Sequence, residues 1–150
     1  FGTPLLADSK DESQAINAVT TEFSDLKETE ALVFMGHGTT HQVNTVYAGL
    51  DQKFKESAHA NVFIGTVEVD PTIHDLVKEV QPSKIYVTPF MIVAGDHAHN
   101  DMAGDSPDSW VCQFENAGFE VCPIIKGLGE YPGIRRMYVE HAQKAIDSMK

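Results

Sequence analysis

Seven histidines in 150 residues are the compositional hint of metal chemistry, and three places in the chain give it positional form. His37 stands between glycines in Gly36-His37-Gly38-Thr39-Thr40, Glu68 opens Glu68-Val69-Asp70, and His97 and His99 lie within Ala94-Gly95-Asp96-His97-Ala98-His99-Asn100-Asp101. Two imidazoles and a carboxylate suit borderline divalent ions such as Co²⁺, Fe²⁺, Ni²⁺ or Zn²⁺, and leave coordination positions open for water or a substrate atom. A site of that kind exchanges its metal or does chemistry on what the metal holds. Plainer roles compete at each position. Gly36 and Gly38 could serve only a tight turn around His37, and Glu68 could face the dipole of a helix starting near Pro71. The polar cluster at 96–101 is denser than a simple connector needs. His41, His59, His74 and His141 fall near helix starts, in a turn or on the last helix, where solvated or structural roles are expected.

A parallel sheet is what would bring such distant residues together. Apolar residues at helical spacing (Ala15, Ile16, Val19, Phe23, Leu26) predict a first helix over Asp8 to Leu26, with a capping-box pattern at Ser9 to Glu12. The continuous apolar run from Ala31 to Met35 predicts a strand buried on both faces. Val43, Val46, Tyr47, Leu50 and Phe54 form a helical stripe, Asn61 to Val67 a strand, Ile73, Leu76, Val77 and Val80 a helix, and Lys84 to Thr88 a third strand. Pro89 to Pro107 reads as a long loop of functional length. A short helix over Asp108 to Ala117, closed by Gly118, a strand over Phe119 to Pro123 and a final helix carrying Ile134, Met137, Tyr138, His141, Ala145 and Ile146 complete the pattern. Strands alternating with helices at this interval predict an α/β three-layer sandwich on a four-stranded, mainly parallel sheet, one domain over residues 1–150. Ligands of such sheets bind beyond the carboxyl ends of the strands. Adjacent strands lie about 4.8 Å apart, so His37, Glu68 and His97 can meet on one ion.

Composition narrows the partners. Twenty-two acidic residues against eleven basic ones give a net charge of −11, a surface that repels a phosphate backbone and argues against nucleic acid. Cys112 and Cys122 match no thiolate-cluster spacing and are expected as reduced, half-buried thiols. No apolar run reaches the roughly 18 residues of a membrane span, and the opening FGTPLLADSKDE lacks the charge and hydrophobic pattern of an export signal. A cytoplasmic setting is the expectation, with a periplasmic one open because the chain starts at Phe1.

Three motifs carry a resemblance. Met-Gly-His-Gly-Thr at 35–39, Gly-Thr-Val-Glu at 65–68 and Pro-Phe-Met-Ile-Val-Ala-Gly-Asp-His-Ala-His-Asn-Asp-Met-Ala-Gly-Asp at 89–105 are similar to the anaerobic cobalt chelatases of the CbiK type, class II chelatases that insert a divalent metal into sirohydrochlorin or a precorrin in cobalamin or sirohaem synthesis. The likeness extends from Pro4-Leu5-Leu6 through Asp108-Ser109-Trp110 to the closing helix. It implies a flavodoxin-like fold and a match to the carboxyl-terminal half of a two-half enzyme, whose partner is an amino-terminal half or another copy across a cleft. It also implies that His37 and His97 bind the metal with Glu68 as third ligand, the residues already selected at the strand ends. Val69-Asp70 after Glu68, where a glycine and an aromatic are expected, and His99, where an aliphatic residue is usual, depart from the pattern.

Metallating a tetrapyrrole removes two pyrrole N–H protons and exchanges the metal's ligands stepwise for ring nitrogens. Neutral imidazoles and a carboxylate can hold Co²⁺, or Fe²⁺ or Ni²⁺, loosely enough to release it and can accept protons as it leaves. Phe90, Met91 and Val93, with Ile92, can contact the macrocycle face, core packing being the competing role for Phe90 and Met91, and backbone N–H groups at Gly38, Thr39 and Thr40 can receive its peripheral carboxylates. A non-catalytic metal- or tetrapyrrole-binding module, or a metal-dependent hydrolase or oxygenase using the same triad, are the other classes open to this pattern.

Overall fold

A computed structural model describes residues 4–38, 45–56 and 61–150. Its elements run α1 (Ser9–Thr20), β1 (Glu30–Gly36), α2 (Thr45–Glu56), β2 (Val62–Thr66), α3 (Ile73–Glu79), β3 (Lys84–Pro89), a π-helical segment (His97–Met102), α4 (Trp110–Asn116), β4 (Glu120–Pro123) and α5 (Pro132–Asp147). The four strands pair in the order β2-β1-β3-β4, every pair parallel. This order reverses direction between β1 and β3, which opens a crevice at their carboxyl ends.

Period-two alternation within each strand divides the core. Leu32 and Phe34 of β1 join Val62, Ile64 and Phe90 beneath α1, α2 and α5. Ala31, Val33 and Met35 face the other way with Phe63, Ile85 and Val87, beneath α3, α4 and the buried Met102. A strand covered on both faces has no polar side, which is why β1 reads as an unbroken apolar run. Phe34 anchors the first layer, stacked on Phe54 at 5.6 Å and met edge-on by Phe90 at 5.5 Å; each such pair contributes about 0.5–1.5 kcal/mol beyond its buried area. Cys112 and Cys122 are free and partly buried, as expected.

Local signals set most boundaries, with two corrections. The cap of α1 is Asp8, whose carboxylate accepts from Lys10 N at 2.8 Å and Asp11 N at 2.9 Å, rather than a box opened by Ser9; the helix ends at Thr20 and tightens into a 3₁₀ turn over Thr21–Phe23. The stretch expected as one long loop contains the π-helical turn at His97–Met102, marked by Ala103 N donating to Ala98 O five residues back. Only Ala98 and Met102 of this turn are buried, too few to write a helical stripe in the sequence. A second 3₁₀ turn, Leu128–Glu130, grips the start of that connection: Leu128 N donates to Met91 O at 2.7 Å and Gly129 N to Ile92 O at 3.0 Å. Val43, in the expected stripe of α2, lies outside the described residues.

Candidate metal-handling site at the strand ends

The β1–β2 ladder continues past both strands. Val67 N donates to Gly36 O at 3.0 Å and Glu68 N to His37 O at 3.2 Å, so His37 and Glu68 leave the sheet side by side. His37 Nε2 lies 3.9 Å from Glu68 Oε1. On the other flank, Phe90 N donates to Met35 O at 2.7 Å before the chain turns through 91–96 into the π-helical segment. His97, its first residue, brings its ring edge-on to His37, centroids 4.6 Å apart at 87°. His37 therefore touches both of the other candidates, at the crevice between β1 and β3. The side chains of His37, Glu68 and His97 are 46%, 47% and 46% exposed, so the cluster opens to solvent.

Both imidazoles are oriented through Nδ1. His37 Nδ1 lies 2.9 Å from Gly38 O; a carbonyl only accepts, so Nδ1 carries the hydrogen, and in the neutral ring the lone pair is on Nε2. His97 Nδ1 bonds Asp101 Oδ2, four residues on. The turn after His37 requires glycine: Gly38 has φ +83°, and a Cβ there would lie 2.7 Å from Thr66 Oγ1. Thr66 accepts from Val69 N at 3.0 Å, tying down the turn that carries Glu68. The plain reading of the glycine and the functional reading of the histidine are thus both met by one turn.

The structure gathers His37, Glu68 and His97, yet among the described residues no three His, Cys, Asp or Glu side chains close into a metal shell on their own. Phe90 is corrected: it is 6% exposed in the core against Phe34, because the chain is still in register with β1 at that point, and its ring is not available to a macrocycle. Met91 is half-buried against the second core layer, whereas Ile92 and Val93 are exposed, Val93 at 71%. Thr39, Thr40, His41 and His59 lie outside the described residues. His74 and His99 are exposed. His141 is buried and structural, its Nε2 3.1 Å from Asp11 Oδ1. Sequence reasoning passed over Asp101 as a partner of His97; the i,i+4 spacing was the available signal, hidden by treating the segment as a loop. A groove of about 470 Å³ between α1 and α5, lined by Gln14, Asn17, Glu22, Arg136 and Glu140 among others, includes none of the strand-end residues.

A family profile described as cobalt chelatase (CbiK) matches residues 1–147. The chain belongs to the CbiK cobalt chelatase family. It is 38% identical over 150 residues to the sirohydrochlorin cobaltochelatase of Salmonella typhimurium, covering 98% of this chain and 56% of that protein. It is 32% identical over 152 residues to the sirohydrochlorin cobaltochelatase CbiKC of Nitratidesulfovibrio vulgaris, covering 99% of this chain and 54% of that one. The chain thus spans about half the length of these relatives. Its fold is similar to that of a multi-domain Deinococcus radiodurans protein described as structurally similar to chelatases, with a TM-score of 0.58 at 13% identity over 87% of this chain and 29% of that one. The flavodoxin-like α/β fold expected of a CbiK-family chain is the fold found, with all strand pairs parallel. No described helix is long and apolar enough to cross a membrane.

Proposed function

We propose that this chain forms the metal-handling wall of a chelatase that inserts Co²⁺ into sirohydrochlorin, or a closely related precorrin, in cobalamin biosynthesis. The observation that carries the reading is the position of His37: its Nδ1 is occupied by Gly38 O, and its ring lies against both His97 and Glu68 at the β1/β3 switch point. The metal is a substrate here. His37, His97 and Glu68 are assigned as its ligands on the protein, and their openness suits an ion that must be handed on. As the four ring nitrogens replace these ligands, the two that carry hydrogen lose their protons, and the freed imidazole nitrogens and the Glu68 carboxylate are the groups within reach to accept them. The charge balances: a dication enters and two protons depart.

Ile92 and Val93, exposed on the connection that leads to His97, are assigned to one face of the macrocycle in place of the buried Phe90. Backbone N–H groups at Gly38, Thr39 and Thr40 are assigned to its carboxylates. With a net charge of −11, this chain needs such local donors to hold a polycarboxylate. A strand-end face exposed this far covers one side of a macrocycle, so the second wall comes from an amino-terminal half or another copy. Fe²⁺ and Ni²⁺ are compatible with the same donor set. Family membership favours metal insertion over a passive binding module or a hydrolase.

The test is anaerobic incubation of sirohydrochlorin with Co²⁺, Fe²⁺ or Ni²⁺ and this chain, alone and with the remaining half of a family enzyme, followed by absorbance. Metallation that needs both parts and is lost in His97→Ala is the expected result. Metallation at the full rate by a monomer of this chain alone refutes the two-wall reading, and undiminished metallation by His97→Ala refutes the ligand assignment.

A further inference from the structure

We propose that Asp101 is a positioning residue of the strand-end site: its carboxylate accepts the Nδ1 hydrogen of His97 and holds the imidazole in the tautomer whose bare Nε2 is free to meet a cation. The inference rests on the reading of His97 as a metal ligand and names the group that prepares it.

The geometry of the π-helical segment makes the pairing possible. Ala98 and Met102, four apart, are fully buried, and Ala103 N bonds Ala98 O across the wide turn. With that side held in the core, His97 and Asp101, also four apart, share the solvent side at 46% and 45% exposure. Asp96, His99, Asn100 and Asp105 are exposed, and among the described residues only Asp101 meets the His97 ring nitrogen. π turns are rare, and where they occur as bulges in helices they are frequently at functional sites. Here it sets a carboxylate beside an imidazole that faces a second imidazole.

His37 supplies the independent support. Its Nδ1 is occupied by a different acceptor on a different element, the Gly38 carbonyl at 2.9 Å. Two histidines from separate strand ends thus have Nδ1 engaged, neither Nε2 makes a hydrogen bond among the described residues, and their rings touch at 4.6 Å. Nδ1 engagement by a carbonyl or carboxylate is how ligating histidines are oriented and made better donors, and losing the acceptor costs about ten- to a hundred-fold in metal affinity. An acceptor fixed before the metal arrives removes the need to select among tautomers and ring orientations at the moment of binding.

The experiment uses the 150-residue chain with ¹⁵N-labelled histidine at a pH where the imidazoles are neutral. Ring-nitrogen chemical shifts identify which nitrogen of His97 carries hydrogen, without metal present. Wild type is expected to show the Nδ1–H form. Asp101→Ala, a truncation at an exposed position, is expected to shift His97 towards the Nε2–H form and to weaken Co²⁺ binding ten- to a hundred-fold in a direct titration. Asp105→Ala, which removes an equal charge from the same connection, is expected to change neither. An unchanged His97 tautomer in a folded Asp101→Ala chain overturns the proposal, as does an equal response to Asp105→Ala. Co²⁺ binding to His97→Ala at wild-type affinity refutes instead the assignment of His97 as ligand, an outcome the metal-free tautomer measurement does not depend on. Should Asp101→Ala not fold, Asp101→Ser gives the same two readouts with the same expected and overturning results.

Discussion

At Gly127 the chain after β4 packs backbone against backbone on the connection that carries His97, and a single methyl group tests that contact. Its backbone, φ −76° and ψ 156°, is open to any residue, so alanine there causes no conformational strain. The obstacle is steric: a Cβ would sit 2.5 Å from Ile92 O, 2.8 Å from Ala94 N and 2.9 Å from Val93 Cα. All three are backbone atoms, so no side chain can rotate away, and one strand of the contact must recede by roughly half an ångström or more. That motion pulls on the hydrogen bonds from Leu128 N to Met91 O and Gly129 N to Ile92 O. Overpacking of this kind costs about 1–3 kcal/mol. At about 2–4 °C per kcal/mol for a domain of this size, Gly127→Ala is expected to melt roughly 2–12 °C lower. His97 begins three residues after Ala94, so the displacement also reaches the site, and Co²⁺ affinity is expected to fall about tenfold. Gly49→Ala is the control: this glycine lies within α2 with nothing inside 4 Å of its missing Cβ, and alanine there should raise stability by about 0.5–1 kcal/mol. Calorimetry and Co²⁺ titration of both variants decide the matter. A Gly127→Ala chain that melts and binds like wild type refutes the proposed clamp.

Three further outcomes are expected. His97→Ala should weaken Co²⁺ binding by more than the ten- to hundred-fold typical of losing a residue that only orients a ligand, while His99→Ala should change it little; equal effects in isothermal titration would reassign the ligand. Asp11→Ala removes the partner of the buried His141, whose Nδ1 already has none among the described residues, and the acceptor of Ala7 N. It should destabilise the chain by about 1–3 kcal/mol in urea unfolding, and a neutral result would show that water replaces the contact. Asp8 and Asp75 are held below the usual carboxylate range, chiefly by the backbone N–H groups of Asp11 and Thr72 respectively. Their stabilisation is therefore complete above the unfolded carboxylate pKa and fades as pH falls through the lower folded value. Asp8→Ala/Asp75→Ala should unfold at lower urea than wild type at pH 7, with the gap closing as the solution is acidified below pH 4; a gap independent of pH would refute the capping account.

Much of the fold was legible because its signals are local. The apolar run Ala31–Met35 can be satisfied only by a strand covered on both faces, and the stripes of α1, α3 and α5 name the side each helix buries. His37, Glu68 and His97 were legible as candidates because they follow strands, and strand ends in a parallel sheet converge whatever the details of packing. Tertiary structure decided what depends on contacts between distant segments. Phe90 looks like part of a loop motif until β3 is set in register with β1, where Met35 pairs with Pro89 and the next ring drops into the core. The His97–Asp101 pair exists because Ala98 and Met102 are drawn into the interior, which turns a six-residue stretch carrying four polar side chains into a π-helical turn. Gly127 has an ordinary backbone, and only the approach of residues 92–94 makes its missing side chain matter. A sequence records which residues can be buried or can ligate; which of them meet is settled by strand register and packing density, which act between residues far apart in the chain.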